Sequence, residues 1–195
     1  PEAEDGEARA AEERVELLPE HGTTRLHVDM SDAINVLVHV DGAGSGLEES
    51  AEGGGAPASG AAAGLPFGHW RLDRREAAAS RAGAVWHIFS QADSKLLHGL
   101  LPQLLSLPAA AAPLLDGAHY LGSALLHQLQ VLHGVRPYVV FQRLGDALII
   151  PAGCAHQVLN LRSCVKVATD FVSPEHVTHC LRLSEQRRLL PAGHH

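Results

Sequence analysis

The run Gly145-Asp-Ala-Leu-Ile-Ile-Pro151-Ala-Gly153-Cys-Ala-His156-Gln-Val-Leu-Asn160 restricts what this chain can fold into more than any other stretch. A short apolar strand, Ala147 to Ile150, ends in a Pro-x-Gly turn that can swing His156 back across the mouth of a barrel. Near the other end, His27-Val-Asp29 places an imidazole and a carboxylate two residues apart. On one extended strand, residues i and i+2 point to the same face. A bare His-x-Asp is common, but its combination with Gly-x5-Pro-x-Gly-x2-His-x3-Asn is much more specific. Together they outline the two halves of a metal site in a double-stranded β-helix.

Two histidines and one carboxylate that leave coordination positions open form the facial triad of non-heme Fe(II) oxygenases. Without the downstream run, His27 and Asp29 read equally well as a strand-end pair making surface hydrogen bonds. His156 alone could be a turn histidine satisfying backbone groups.

Composition bounds the rest. With 195 residues, 46% of them hydrophobic, one domain with a real core is expected. The formal net charge of -7 argues against a broad nucleic-acid-binding face, so no sequence-specific DNA binding is expected, while a basic peptide remains compatible. Cys154, Cys164 and Cys180, odd in number and sparse, do not form a disulfide framework, which favours an intracellular setting. No apolar run approaches the roughly 20 residues of a membrane span. The chain starts at Pro1 and its only methionine is Met30, so it is expected to be a piece of a longer protein.

Residues 1–21 read as a charged arm, and 41–64, rich in Gly, Ala and Ser, as a flexible insertion with too little apolar surface to order it. Strands are expected at Ala33–Val40 (Ile34, Val36, Val38 and Val40 on one face), Ala84–Phe89, Tyr138–Arg143, Ala147–Ile150 and Cys164–Thr169. Ser90 can cap a helix running to about Leu105, and a second helix runs from about Leu121 to His133 with Gly134 as its stop. Leu107 to Pro113 is a linker. Ser173-Pro174 predicts the cap and first turn of a final helix. This pattern favours a mainly β jelly-roll barrel with added helices.

At this point the residues resemble the Jumonji-C lysine demethylases, and most closely the branch acting on lysine 9 of histone H3, which includes the Hairless corepressor. The likeness is carried by Gly22-Thr-Thr24-x-x-His27-x-Asp29, Ser31-Asp32-Ala33-x-Asn35-Val36, Trp86-His87-Ile88-Phe89 and Phe141-Gln142-x-Leu144-Gly145-Asp146. It continues through Ile150-Pro151 to Leu161 and from Ser163-Cys164-x-Lys166 to Val177. It covers roughly residues 22–185, a cupin-like Jumonji-C domain followed by a tail from 186, and is weak from 41 to 82 and from 104 to 117. The resemblance implies Fe(II) at His27, Asp29 and His156, 2-oxoglutarate as co-substrate, a methylated histone H3 tail as partner and a nuclear location. It also implies that the zinc-binding cysteine region and the barrel strands upstream of His27 in full-length relatives are missing, so the chain as it stands is expected to turn over poorly.

Three residues are candidates for the co-substrate. Thr24 precedes His27 by three residues, where several Jumonji-C enzymes bond the distal carboxylate; an ordinary strand threonine is the alternative. Lys166 shares a face with Cys164 and Ala168, and either face of so apolar a strand is expected to be covered, so the lysine needs an anionic partner. The alternative is an edge lysine whose head reaches water. Asn35, opposite the Ile34/Val36 stripe, could touch the same co-substrate or be a satisfied core amide. Leu97-His-Gly-Leu100-Leu101 and Leu101-Pro-Gln-Leu104-Leu105 fit the Leu-x-x-Leu-Leu pattern that docks helices onto nuclear receptors, although a core-facing stripe gives the same spacing. His176, His179 and Cys180 share helical spacing, but no fourth zinc ligand is evident. The rival to the demethylase is a non-enzymatic Hairless-like corepressor module that keeps the barrel for interaction.

Overall fold

The computed structural model describes residues 22–42, 81–109 and 111–189. The expected arm over 1–21, most of the 41–64 insertion and the residues after 189 lie outside them. The strands are β1 (Thr24–His27), β2 (Asp32–Val40), β3 (Ala84–Ile88), β4 (Tyr138–Gln142), β5 (Ala147–Ile150), β6 (His156–Asn160) and β7 (Cys164–Phe171). The helices are α1 (Gln91–Leu104), α2 (Pro113–Asp116), α3 (Ser123–His133) and α4 (Val177–Arg188). Among the described residues the strands form two antiparallel sheets, ordered β1-β6-β3-β4 and β5-β2-β7. This is the cupin-like jelly-roll that the sequence pattern favours.

The helix ends follow local chemistry. The Ser90 hydroxyl accepts from the Asp93 amide at 3.0 Å and starts α1. Gly134, left-handed at φ +67°, closes α3 by donating to Gln130 O. The helices cover the outer face of the larger sheet through a core that includes Leu26, Phe89, Leu97, Leu101, Leu121 and Leu129. Leu97 and Leu101 are fully buried there. Neither Leu-x-x-Leu-Leu motif therefore presents its leading leucine at the surface, and receptor docking would require α1 to leave the core. Inside the barrel, Ala33, Trp86, Ile150, Cys154 and Val158 form a second cluster.

Strand β2 buries the face opposite to its apolar stripe. Ala33 and Leu37 are buried, whereas Val38 is 47% exposed. Leu37 pairs with Lys166 and His39 with Val165, so Val38 is the extra residue of a bulge. The bulge shifts the alternation by one, which returns Val40 to the interior opposite Cys164. On β7 the expectation that both faces are covered fails: Val165 and Val167 are exposed, and only the face carrying Lys166 is partly buried. Sequence periodicity also missed β6, whose residues His156 to Leu159 are all buried and therefore lack alternation. Helix α2 begins at Pro113, the last residue of the expected linker.

The C-terminal helix departs from expectation for an identifiable reason. Pro174–His176 is a 3-10 turn, and Ser173 makes no side-chain cap. Its amide and hydroxyl instead donate to Asp32 Oδ2 at 2.9 and 2.8 Å. Asp32 Oδ1 accepts from the Ala152 amide at 2.9 Å and from His176 Nδ1. Burial alone would raise the Asp32 carboxyl, but the Ser173 and Ala152 amides, the Ser173 hydroxyl and His176 outweigh it and hold the group far below the usual carboxylate range. The ionised form is thus the one the fold holds, so its stabilisation is complete above the ordinary value of 3.8 and is lost as pH falls below it toward the depressed folded value. Asp32→Ala, which strands buried donors, should cost on the order of 3 kcal/mol at pH 7, and the gap should narrow at pH 3. Urea denaturation at the two pH values checks both points; an equal gap would show that the carboxylate charge is not what matters.

Candidate metal centre

Strand β1 is placed by its pairing with β6. Thr24 lies opposite Val158 and His27 opposite His156, three residues on one strand against two on the other. This irregularity puts Thr24 and His27 on the same inward side, which a regular strand would not do for residues three apart. The strand ends at His27, so Asp29 does not share it, contrary to the one-strand expectation. Alternation nevertheless persists, because the buried Val28 donates its amide to Leu114 O at 3.0 Å and Asp29 turns back toward His27.

The three donors converge. His27 Nε2 lies 3.5 Å from Asp29 Oδ1, and His156 Nε2 lies 3.6 Å from Asp29 Oδ2. His27, Asp29 and His156 are the group of metal-ligating side chains that meets within 4.8 Å among the described residues. Both rings are oriented from behind: His27 Nδ1 donates to Arg25 O at 2.7 Å and His156 Nδ1 to Cys154 O at 3.0 Å. A carbonyl can only accept, so each ring carries its proton on Nδ1 and aims the Nε2 lone pair at the centre. Burial, and after it the neighbouring His27 imidazole, hold His156 below its ordinary pKa despite the Cys154 carbonyl and Asp29. It therefore stays neutral, as a ligand must. This donor set fits a divalent cation.

The structure also places the co-substrate candidates. Thr24 lines a cavity of about 640 Å³ together with His27, Asp29, Met30, Asp116 and Asp170. Asn35 and Lys166 lie elsewhere, on the Trp86 side of the barrel interior. Lys166 Nζ donates to Asn160 Oδ1 at 2.6 Å and sits 5.4 Å from the Trp86 ring centroid. Burial lowers its pKa, with Cys164 acting weakly in the other direction. Trp86 stacks on His156 at 5.9 Å and donates to Gln142 Oε1, and Gln142 Nε2 donates to Asn35 O. Trp86, Gln142 and Asn160 were given no role in the sequence reading. An inward tryptophan on β3 was the available signal, whereas Asn160 depended on the missed β6. His176 is engaged by Asp32 and Ser173, and His176, His179 and Cys180 form no metal cluster among the described residues.

The jelly-roll barrel thus brings two histidines and one carboxylate together at its mouth, and comparison with known proteins defines its class. The chain carries a JmjC domain: the family described as JmjC domain, hydroxylase, matches residues 77–171. It is 38% identical over 179 residues to Lysine-specific demethylase 3A-A of Xenopus laevis, covering 89% of this chain and 13% of that protein. It is 37% identical over 186 residues to Lysine-specific demethylase 3 of Drosophila melanogaster (91% and 21%) and 33% identical over 198 residues to Lysine-specific demethylase JMJ26 of Arabidopsis thaliana (88% and 22%). The chain therefore spans about an eighth to about a fifth of the length of these relatives.

His27→Ala and Asp29→Ala should each lower Fe(II) affinity by at least about 100-fold, since losing a ligand costs more than losing a group that merely orients one. Circular dichroism should be unchanged, because the packed core does not depend on the ion. Anaerobic calorimetric titration is the check, and undiminished iron affinity in both variants would sink the ligand assignment.

Proposed function

We propose that this chain is the oxygenase domain of an Fe(II)- and 2-oxoglutarate-dependent histone lysine demethylase, of the type acting on lysine 9 of histone H3 in the nucleus. The observation that carries this reading is the inward-facing donor set of His27, Asp29 and His156, with both Nδ1 atoms already committed to backbone carbonyls. Relatives named as lysine-specific demethylases, at 33–38% identity, support the substrate class.

When bound, the iron would let dioxygen hydroxylate an N-methyl carbon while 2-oxoglutarate is oxidatively decarboxylated to succinate, and the resulting hemiaminal would release formaldehyde and the demethylated amine. The chain's own residues do the positioning. His27 and His156 point their Nε2 atoms at the centre, each ring held through Nδ1 by a backbone carbonyl. Thr24, Asn35 and Lys166 are the proposed co-substrate contacts, with the Lys166 ammonium exchanging its amide partner Asn160 for a carboxylate. The wall of the metal-side cavity is mixed in charge, with Asp116 and Asp170 beside Arg25 and Arg187. No helix among the described residues is long and apolar enough to cross a membrane.

Lys166→Met should weaken 2-oxoglutarate by about 10- to 150-fold, the worth of one charge-assisted contact, and leave iron affinity unchanged. An unaltered apparent affinity for 2-oxoglutarate would return Lys166 to a structural role. The functional test is formaldehyde release from a dimethylated histone H3 lysine-9 peptide, by this chain and by a version extended upstream toward the relatives' length. Weak turnover by this chain and faster turnover by the extended version, both dependent on iron and 2-oxoglutarate, are expected. Binding of both without turnover by either protein would overturn the demethylase reading in favour of the corepressor module.

A further inference from the structure

Behind the metal centre lies a second cavity of about 360 Å³, set between α1 and α4. Helix α1 presents Gln91, Ser94, Lys95 and His98 to it, and α4 presents His179, Arg182, Leu183 and Gln186. Each set follows i, i+3, i+4, i+7 spacing, so two whole helical faces meet across one cleft. The floor is apolar, with Val28, Leu114 and Leu115.

Its charge is one-sided. Lys95, His98, His179 and Arg182 line it and no carboxylate does, in a chain whose formal net charge is -7. Among the described residues, Lys95, His98 and Arg182 make no ion pair. The Nε2 atom of His179 is fully buried without a hydrogen-bond partner. Burial first, then Lys95, His176 and Arg182, hold the His179 imidazole below its ordinary pKa, with Asp32 as the opposing charge. Lys95 and Arg182, the two cations of the lining, repel one another unless an anion joins them.

We propose that this cleft binds a small organic anion, with a phosphate or carboxylate head between Lys95 and Arg182 and a short apolar body on the Val28/Leu115 floor. The volume is in the range of small-molecule pockets rather than of an extended protein interface. Its walls also touch the metal centre. Val28, between the ligands His27 and Asp29, lines both cavities, as does Leu115. Gln91 Nε2 donates to Ala152 O at 2.9 Å, and Ser94 Oγ accepts the Ala155 amide at 2.8 Å. The helix face that meets the anion thus also holds the segment that delivers His156, so occupancy would bear on how firmly that ligand is placed.

The test is calorimetric titration of the metal-free chain with phenyl phosphate, phenylacetate and inorganic phosphate. One event per chain is expected for at least one aromatic probe, tighter than inorganic phosphate because of the apolar floor, and the tighter of the two aromatic probes identifies the head group. Lys95→Ala/Arg182→Ala, two exposed changes that should not disturb the fold, should weaken binding by at least about tenfold. Lys166→Met should bind as the parent does. No heat with either aromatic probe, full affinity in the double variant, or loss of binding in Lys166→Met, which would place the anion inside the barrel, would each overturn the proposal. Neither iron nor turnover enters the measurement, so its failure is separable from failure of the demethylase reading.

Discussion

The carboxylate of Asp32 joins three segments that are far apart in the chain. It begins β2 three residues after Asp29, takes the Ala152 amide four residues before His156, and holds Ser173 and His176 at the entry to α4. The group is 2% exposed and ionised, which is tolerable only because donors surround it. A buried charge with four partners specifies geometry more sharply than an apolar contact, because displacing any segment strands a donor or the anion itself. Both ligand-bearing segments and the C-terminal helix are thereby referred to one point.

The second constraint is the uneven pairing of β1 with β6. Three residues against two place Thr24 and His27 inward together, and His27 comes to face His156 with ring centroids 4.3 Å apart. From His156 a line of stacked and hydrogen-bonded groups runs through Trp86 to Gln142, Asn35 and Lys166. Polar groups buried in such a chain are satisfied by one another, so the interior is rigid yet offers side chains that a polar ligand could engage. Elsewhere the same economy holds: the Gln157 amide bonds both the amide and the carbonyl of Leu121, pairing loop to strand as a backbone would.

Charge is distributed to match these two regions. The metal-side cavity carries both signs of charge on its wall, Asp29, Asp116 and Asp170 with Arg25 and Arg187, whereas the cleft between α1 and α4 has Lys95 and Arg182 and no acid. Val28 and Leu115 line both cavities. A cleft with two cations and no carboxylate is a property of placement, invisible in a net charge of -7.

Local chemistry in the sequence determined a good deal by itself. The Ser90 cap, the Gly134 stop, strands β3, β4 and β5, and the choice of His27, Asp29 and His156 as candidate donors were legible because each rests on residues close in the chain or on a motif with fixed spacing. What failed depended on partners distant in sequence. The buried face of β2 was set by its pairing with β7 and by a bulge at Val38, which an apolar stripe cannot announce. Ser173 left its capping role because Asp32, 141 residues away, competes for its donors. Strand β6 was missed because full burial erases alternation, and with it went Asn160, the partner of Lys166. The sequence by itself determined which side chains can ligate and where the chain turns, since both follow from nearby residues. Only the tertiary structure decided which faces look inward, because sheet register and the sharing of buried donors are settled between strands rather than along them.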